Sequence, residues 1–206
     1  MRPSDQKIYL ASKSPRRREL LRQIGVNFEL LMLREQTPRG PDVTESVQPD
    51  EPALQYVARV TREKAHCAQQ LMLARKLPDH PILAADTTVT IDGRILGKPV
   101  DRNDAANMLQ TLSGRTHQVL TNVLVVRGED WWQTTQSSDV AFCKLSPQTI
   151  EAYCSTLEPY DKAGAYGIQG MAASFIELIA GSYSGIMGLP LFETAQLLQR
   201  AGIRIL

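Results

Sequence analysis

The run "ILAADTTVTIDGRILGKP", residues 82–99, decides what kind of sheet this chain builds. Its first ten residues are apolar or β-branched apart from Asp86, and Asp92-Gly93 supplies the turn that a two-residue hairpin favours. A hairpin here breaks what would otherwise be an alternation of strands and helices. Upstream, Ile8-Tyr9-Leu10-Ala11 reads as a short buried strand, followed by a helix that opens at Ser14-Pro15 and carries Leu20, Leu21 and Ile24 on one side. Residues 34–52 are rich in proline and acids, show no periodicity and read as a surface loop. Leu54, Val57, Ala58, Thr61, Ala65, Ala68 and Met72 then form a helical stripe that closes near Lys76, before Pro78.

Downstream, the spacing predicts a helix from Asp101 to Leu112 ending at Gly114, then the strands "HQVLTNVLVV" and "WWQTTQSSDVAF". Ser146-Pro147 begins another helix that stops before Pro159. After a glycine-rich loop come the strand "SFIELI", the stretch "GIMGLP" and a last helix from Leu191 to about Arg200. The hairpin and the meander predict an α/β fold with a mixed twisted sheet and flanking helices, within one domain over residues 1–206.

Composition narrows the function. Basic residues number 23 against 22 acidic ones, so no overall field draws the chain to nucleic acid or an anionic membrane. Aromatics make up 6%, too few for a single-strand stacking surface. Cys67, Cys143 and Cys154 form no C-x-x-C, which argues against a disulfide framework or a zinc site and fits a reducing compartment. "MRPSDQK" has no apolar signal core and no apolar run reaches membrane-spanning length, so a cytoplasmic protein is expected.

Within that frame, four features stand out. Arg16, Arg17 and Arg18 sit at a helix start, where the helix already carries about half a positive charge. At 100° per residue Arg17 falls on the apolar face, Arg16 at its edge and Arg18 on the solvent side. Two cations beside free backbone N–H groups form an anion site, with the hydroxyls of Ser12 and Ser14 as further donors. The plainer reading is salt bridging to acids of a neighbouring loop.

Asp86 shares a strand face with Thr88 and Thr90, and a carboxylate in such a strand is costly unless paired, metal-bound or facing water. Lys98 follows closely, just past the hairpin. Lys64 lies at the edge of a buried helical face, where a lysine can snorkel. The loop "DKAGAYGIQG", residues 161–170, offers Gly164, Gly167 and Gly170 for close backbone approach to a ligand, and the Gln169 amide to read donor and acceptor together. His66, His80 and His117 have no ligand spacing and read as structural or surface residues.

Taken in order, "LASKSPRRRELL", "REKA", "AADTTV", "GKP", "LSGRTHQV", "DKAGAYGIQG" and "GLP" resemble the Maf family of nucleotide pyrophosphatases, from Tyr9 to the last helix. The resemblance implies two lobes around a cleft, a fold related to the inosine-triphosphate pyrophosphatases, and hydrolysis of a nucleoside triphosphate to monophosphate and pyrophosphate. "AADTTV" and "AYGIQG" are closest to the branch acting on dTTP and UTP; modified pyrimidine nucleotides are a neighbouring possibility. Carried over by motif, Asp86 is the expected proton acceptor, acting with Lys64 and Lys98. Ser12 and Arg17 would join those lysines in holding phosphates or the reacting water. Arg16, Thr87 and Gln169 would set base preference.

The resemblance also implies a homodimer and a divalent cation, Mg²⁺ first with Mn²⁺ or Co²⁺ as alternatives, held by Asp86 and Glu35. Family members often show an acidic pair soon after "FE", whereas here Glu35 is followed by Gln36. Ideal alternation puts Thr87 opposite Asp86, so if both line the cleft the strand must bulge or end there. A nucleotide-binding regulator of cell division is the rival from another class; the retained Asp86 favours catalysis.

Overall fold

A computed structural model describes residues 6–34 and 42–205. The described strands are β1 (Lys7–Leu10), β2 (Asn27–Leu30), β3 (Ile82–Ile91), β4 (Arg94–Leu96), β5 (Thr116–Arg127), β6 (Asp130–Phe142) and β7 (Ile176–Ala180). They form one sheet in the order β2-β1-β3-β5-β6-β7, with β4 also on β3. Pairing is parallel among β2, β1 and β3 and antiparallel elsewhere. The expected mixed sheet is therefore the sheet observed. Its hairpin turns where expected: Asp92 and Gly93 both have positive φ, 52° and 74°, as a primed two-residue turn requires.

The helices are α1 (Pro15–Gln23), α2 (Ala53–Ala74), α3 (Arg102–Leu112), α4 (Pro147–Cys154), α5 (Tyr183–Met187) and α6 (Leu191–Arg200). They cover both faces. Ala65, Ala68 and Met72 of α2 pack with Ile82, Ala84 and Leu124, while Leu20, Leu21, Leu197 and Leu198 of α1 and α6 pack with Leu83, Ala85 and Val123. A different cluster surrounds the other end of the long strands, joining Val89, Val119 and Phe142 to Leu109 of α3 and Ile150 of α4. Two lobes thus share β3, β5 and β6.

Three details differ from the sequence reading. Leu54 is 55% exposed, while Tyr56 and Val60 join the expected Val57 in the buried stripe of α2. β2 has no signature in the sequence, because four residues at a sheet edge bury too little to show alternation. Nor does α5, a short helix capped by Ser182 and closed by Gly188 at φ 115°.

His117 is structural, as expected. It is 2% exposed, its Nε2 lies 2.8 Å from the Tyr166 hydroxyl, and its ring meets Phe142 edge-on. Burial pushes its pKa from 6.5 down to about 4, against a weaker upward pull from Asp139. Above 6.5 the folded and unfolded chains both hold it neutral. Between 6.5 and 4 only the unfolded chain takes up the proton, so stability drains away as pH falls through that window. His117→Gln keeps an amide for Tyr166 but cannot titrate. Stability measured by urea unfolding from pH 7 to pH 4 should therefore fall less steeply in the variant. The slopes should differ by about 1.4 kcal/mol for each pH step of one within that window.

Candidate active site

The cleft opens where β3 changes neighbour. On one edge β3 pairs with β1 at Ile82 and Leu83, then with β4 from Val89 to Ile91. The other edge pairs with β5 without a register shift from Ile82 to Thr90. Between the β1 and β4 pairings, Asp86, Thr87 and Thr88 border a cavity of about 610 Å³. Asp86 and Thr87 both line it although they point to opposite faces. The expected bulge is therefore absent: β3 runs straight through, and the gap in its edge exposes both faces to one space. Nor is the Asp86 face solvated, since Thr88 is 1% and Thr90 7% exposed.

From the α1 side comes Arg17, 9% exposed. Ser14 caps the helix by accepting from the Arg17 N–H, and Pro15 follows at the first position, as the sequence indicated. The Arg17 guanidinium donates to Gly188 O at 2.7 Å, Ser12 Oγ at 3.1 Å and Thr87 Oγ1 at 3.2 Å. Burial lowers its pKa, with Asp86 opposing that shift. Thr87 is steadied further by Thr121 Oγ1, 3.0 Å away on β5. Ser12 also receives the Ser14 N–H, so its hydroxyl belongs to the cleft wall as well as to any ligand.

Arg16 follows the plainer expectation in part. It pairs with Asp161 at 3.0 Å, across from the start of α1 to the glycine-rich loop, and still lines the cleft. Arg18, expected in solvent, is only partly exposed.

From the α2 side comes Lys64. Its ammonium lies 2.6 Å from Asp86 Oδ1 and 2.6 Å from Glu45 Oε1. Glu45 is the site residue that sequence reasoning missed. It lies in the aperiodic stretch 34–52, where no spacing distinguishes one acid from another; only its coincidence with Lys64 in space does so. Burial raises the Glu45 pKa, but Lys64, Lys98 and Arg17 outweigh it and leave the carboxyl below its usual range. Glu35 lies outside the described residues. Lys98, exposed at the rim beyond β4, lines the same cleft.

Gln169 reaches the cleft from the far lobe and is exposed there. The glycines around it serve the loop's own packing more than a ligand. A Cβ on Gly170 would stand 2.3 Å from the Glu158 carboxylate, and one on Gly167 would stand 2.8 Å from the Lys162 chain. Glu158 in turn accepts from Tyr153 Oη at 2.8 Å and from the Met171 N–H at 2.9 Å, pinning the segment just after Gln169.

Among the described residues no three acids, histidines or cysteines converge as a closed metal cage. Asp86 and Glu45 nevertheless meet on one ammonium. Two carboxylates open to a phosphate-bearing ligand suit a hard divalent cation such as Mg²⁺, which usually keeps water and substrate oxygens in its shell.

A mixed α/β sheet notched at one strand edge, with cations on both walls and two carboxylates meeting on one ammonium, defines a protein built to receive a small polyanion. The chain belongs to the Maf family: the family model described as Maf-like protein matches residues 7–201. The dTTP/UTP pyrophosphatase of Aromatoleum aromaticum is 55% identical over 203 residues, 98% of each chain. That of Nitrosospira multiformis is 52% identical over 201 residues, 98% of this chain and 97% of the other. That of Bordetella avium is 52% identical over 199 residues, 97% of each. The solved Ham1 protein of Staphylococcus aureus aligns at TM-score 0.41 and 12% identity over 66% of this chain and 72% of that one, too loosely to argue from.

Gly170→Ala tests the loop. The methyl must displace Glu158, so the variant should lose about 1–3 kcal/mol by urea unfolding, the usual cost of overpacking. An unchanged midpoint would mean that Glu158 does not hold this loop.

Proposed function

We propose that the chain, acting as one domain over residues 1–206, hydrolyses dTTP and UTP between the α- and β-phosphates, releasing monophosphate and pyrophosphate. The observation that carries this is Asp86, 7% exposed, fixed on a rigid strand at the floor of a cation-walled cleft. Its Oδ1 is engaged by Lys64, which leaves Oδ2 to take the proton from the attacking water. Arg17, Lys64, Lys98 and the start of α1 supply positive potential for the triphosphate, and Ser12 adds a hydroxyl. Arg16, Thr87 and Gln169, which all line the cleft, are the residues proposed to read the base.

Asp86 and Glu45 would hold the divalent cation, Mg²⁺ first, which when bound neutralises phosphate charge and polarises the phosphorus centre. Relatives near half identity across almost the whole chain, each named dTTP/UTP pyrophosphatase, support this substrate pair. No described helix is long and apolar enough to cross a membrane. Together with three free cysteines this supports the cytoplasm as the place of action. A homodimer is the proposed assembly, on the family resemblance alone.

The test is product analysis by ion-exchange chromatography with dTTP, UTP, CTP, GTP and 7-methyl-GTP in the presence of Mg²⁺. Wild-type protein should give monophosphate plus pyrophosphate from dTTP and UTP. Asp86→Asn should lower kcat by at least about 10²–10⁴-fold, the range of a lost general base, because the same carboxylate would also help hold the cation. Diphosphate plus orthophosphate would mean that the other bond is cut. Tight binding without turnover by wild-type protein would replace the enzyme with a nucleotide-binding regulator.

A further inference from the structure

Lys64 stands between two acids of unlike anchorage. Asp86 belongs to β3, the most buried strand of the sheet, and its side chain is 11% exposed. Glu45 belongs to an irregular segment, its side chain 45% exposed, tied to the cleft by Lys64 and by the Tyr56 hydroxyl donating to its carbonyl at 3.2 Å. Two carboxylates aimed at one point repel unless a cation lies between them. Lys98 and Arg17 also attract Glu45, but the group in direct contact with both acids is the Lys64 ammonium.

We propose that Lys64 is the resident cation of this acid pair: it keeps Asp86 and Glu45 assembled before metal arrives, and a divalent ion binds by displacing its ammonium from them. The proposal rests on the reading of the cleft as that of a metal-assisted pyrophosphatase. The exchange swaps one cation for another and moves no proton. Once displaced, the charge of Lys64 is free for the phosphates that enter the same cleft. A lysine placed only to bind phosphate has no need to bridge both acids. One that holds a metal site's place does.

Manganese binding to nucleotide-free protein, read from the paramagnetic resonance of free Mn²⁺, tests the exchange. Lys64→Met removes the competitor and should bind Mn²⁺ about tenfold more tightly than wild type, whereas Lys64→Arg, which keeps a cation, should show no gain. Equal or weaker binding by the Met variant overturns the proposal, as does a wild-type protein that takes up no Mn²⁺. Should the Met variant fail to fold, Mg²⁺ titrated into wild-type protein carrying isotope-labelled lysine gives the same decision. The Lys64 Nζ resonance must move as metal saturates, and one that stays put overturns the exchange. UTP turnover by the same wild-type preparation is scored separately. Metal exchange without turnover would refute the pyrophosphatase reading and leave the role of Lys64 standing.

Discussion

A strand edge can be paired with only one neighbour at any point along its length, and one edge of β3 is divided between two. β1 takes the beginning and β4 the end. Neither extends to meet the other: β1 hands its chain to the loop before α1, and β4 stops at Leu96, after which the Gly97 carbonyl accepts from the Gly164 N–H instead. The interval left between them is the cleft. Everything chemical about the protein follows from what reaches that interval: Arg17 from above the sheet, Lys64 from below it, Asp86 and Thr87 from the strand itself. The opposite faces of β3, which elsewhere separate the layers, here address one volume.

Three arginines at a helix start are locally unfavourable, and the structure resolves each differently. Arg17 is buried and donates to three neutral acceptors, with the Asp86 charge nearby to offset its desolvation. Arg16 is balanced by Asp161 on the other lobe. Arg18 is left partly in water. A buried guanidinium with satisfied donors is held in one orientation. The positive potential at the mouth of α1 is therefore fixed before any anion arrives.

Much of this is legible in the sequence, for identifiable reasons. Hairpins and helix caps are set by local chemistry, so Asp92-Gly93, Ser14-Pro15 and Ser146-Pro147 mark their elements directly. Long periodic segments such as α2 declare themselves, though with one residue misplaced at the start. What escapes is non-local. β2 exists because β1 offers it an edge, α5 because Ser182 and Gly188 bracket a few residues against the sheet, and Glu45 meets the site because a loop passes over Lys64. The glycines of the loop at 164–170 suggest room for a ligand, yet Gly167 and Gly170 make room for Lys162 and Glu158. Motif places both Asp86 and Thr87 at the site, but the way they share it depends on a missing neighbour. No pattern within β3 encodes that.

The lobes on either side of the cleft are not separate plates joined by a flexible seam. β5 runs from Thr116 to Arg127 and β6 from Asp130 to Phe142, paired along their whole common length and carrying both lobes on one ladder. The cleft is a notch cut into a beam. Flexing a beam at its notch strains the uncut side, and here the uncut side is a continuous row of backbone hydrogen bonds. Widening the slot for a bulkier base would bend that row, whereas exchanging a side chain on its rim would not. Divergence among relatives of this architecture should accordingly be written in rim residues, with the spacing between the walls inherited almost unchanged.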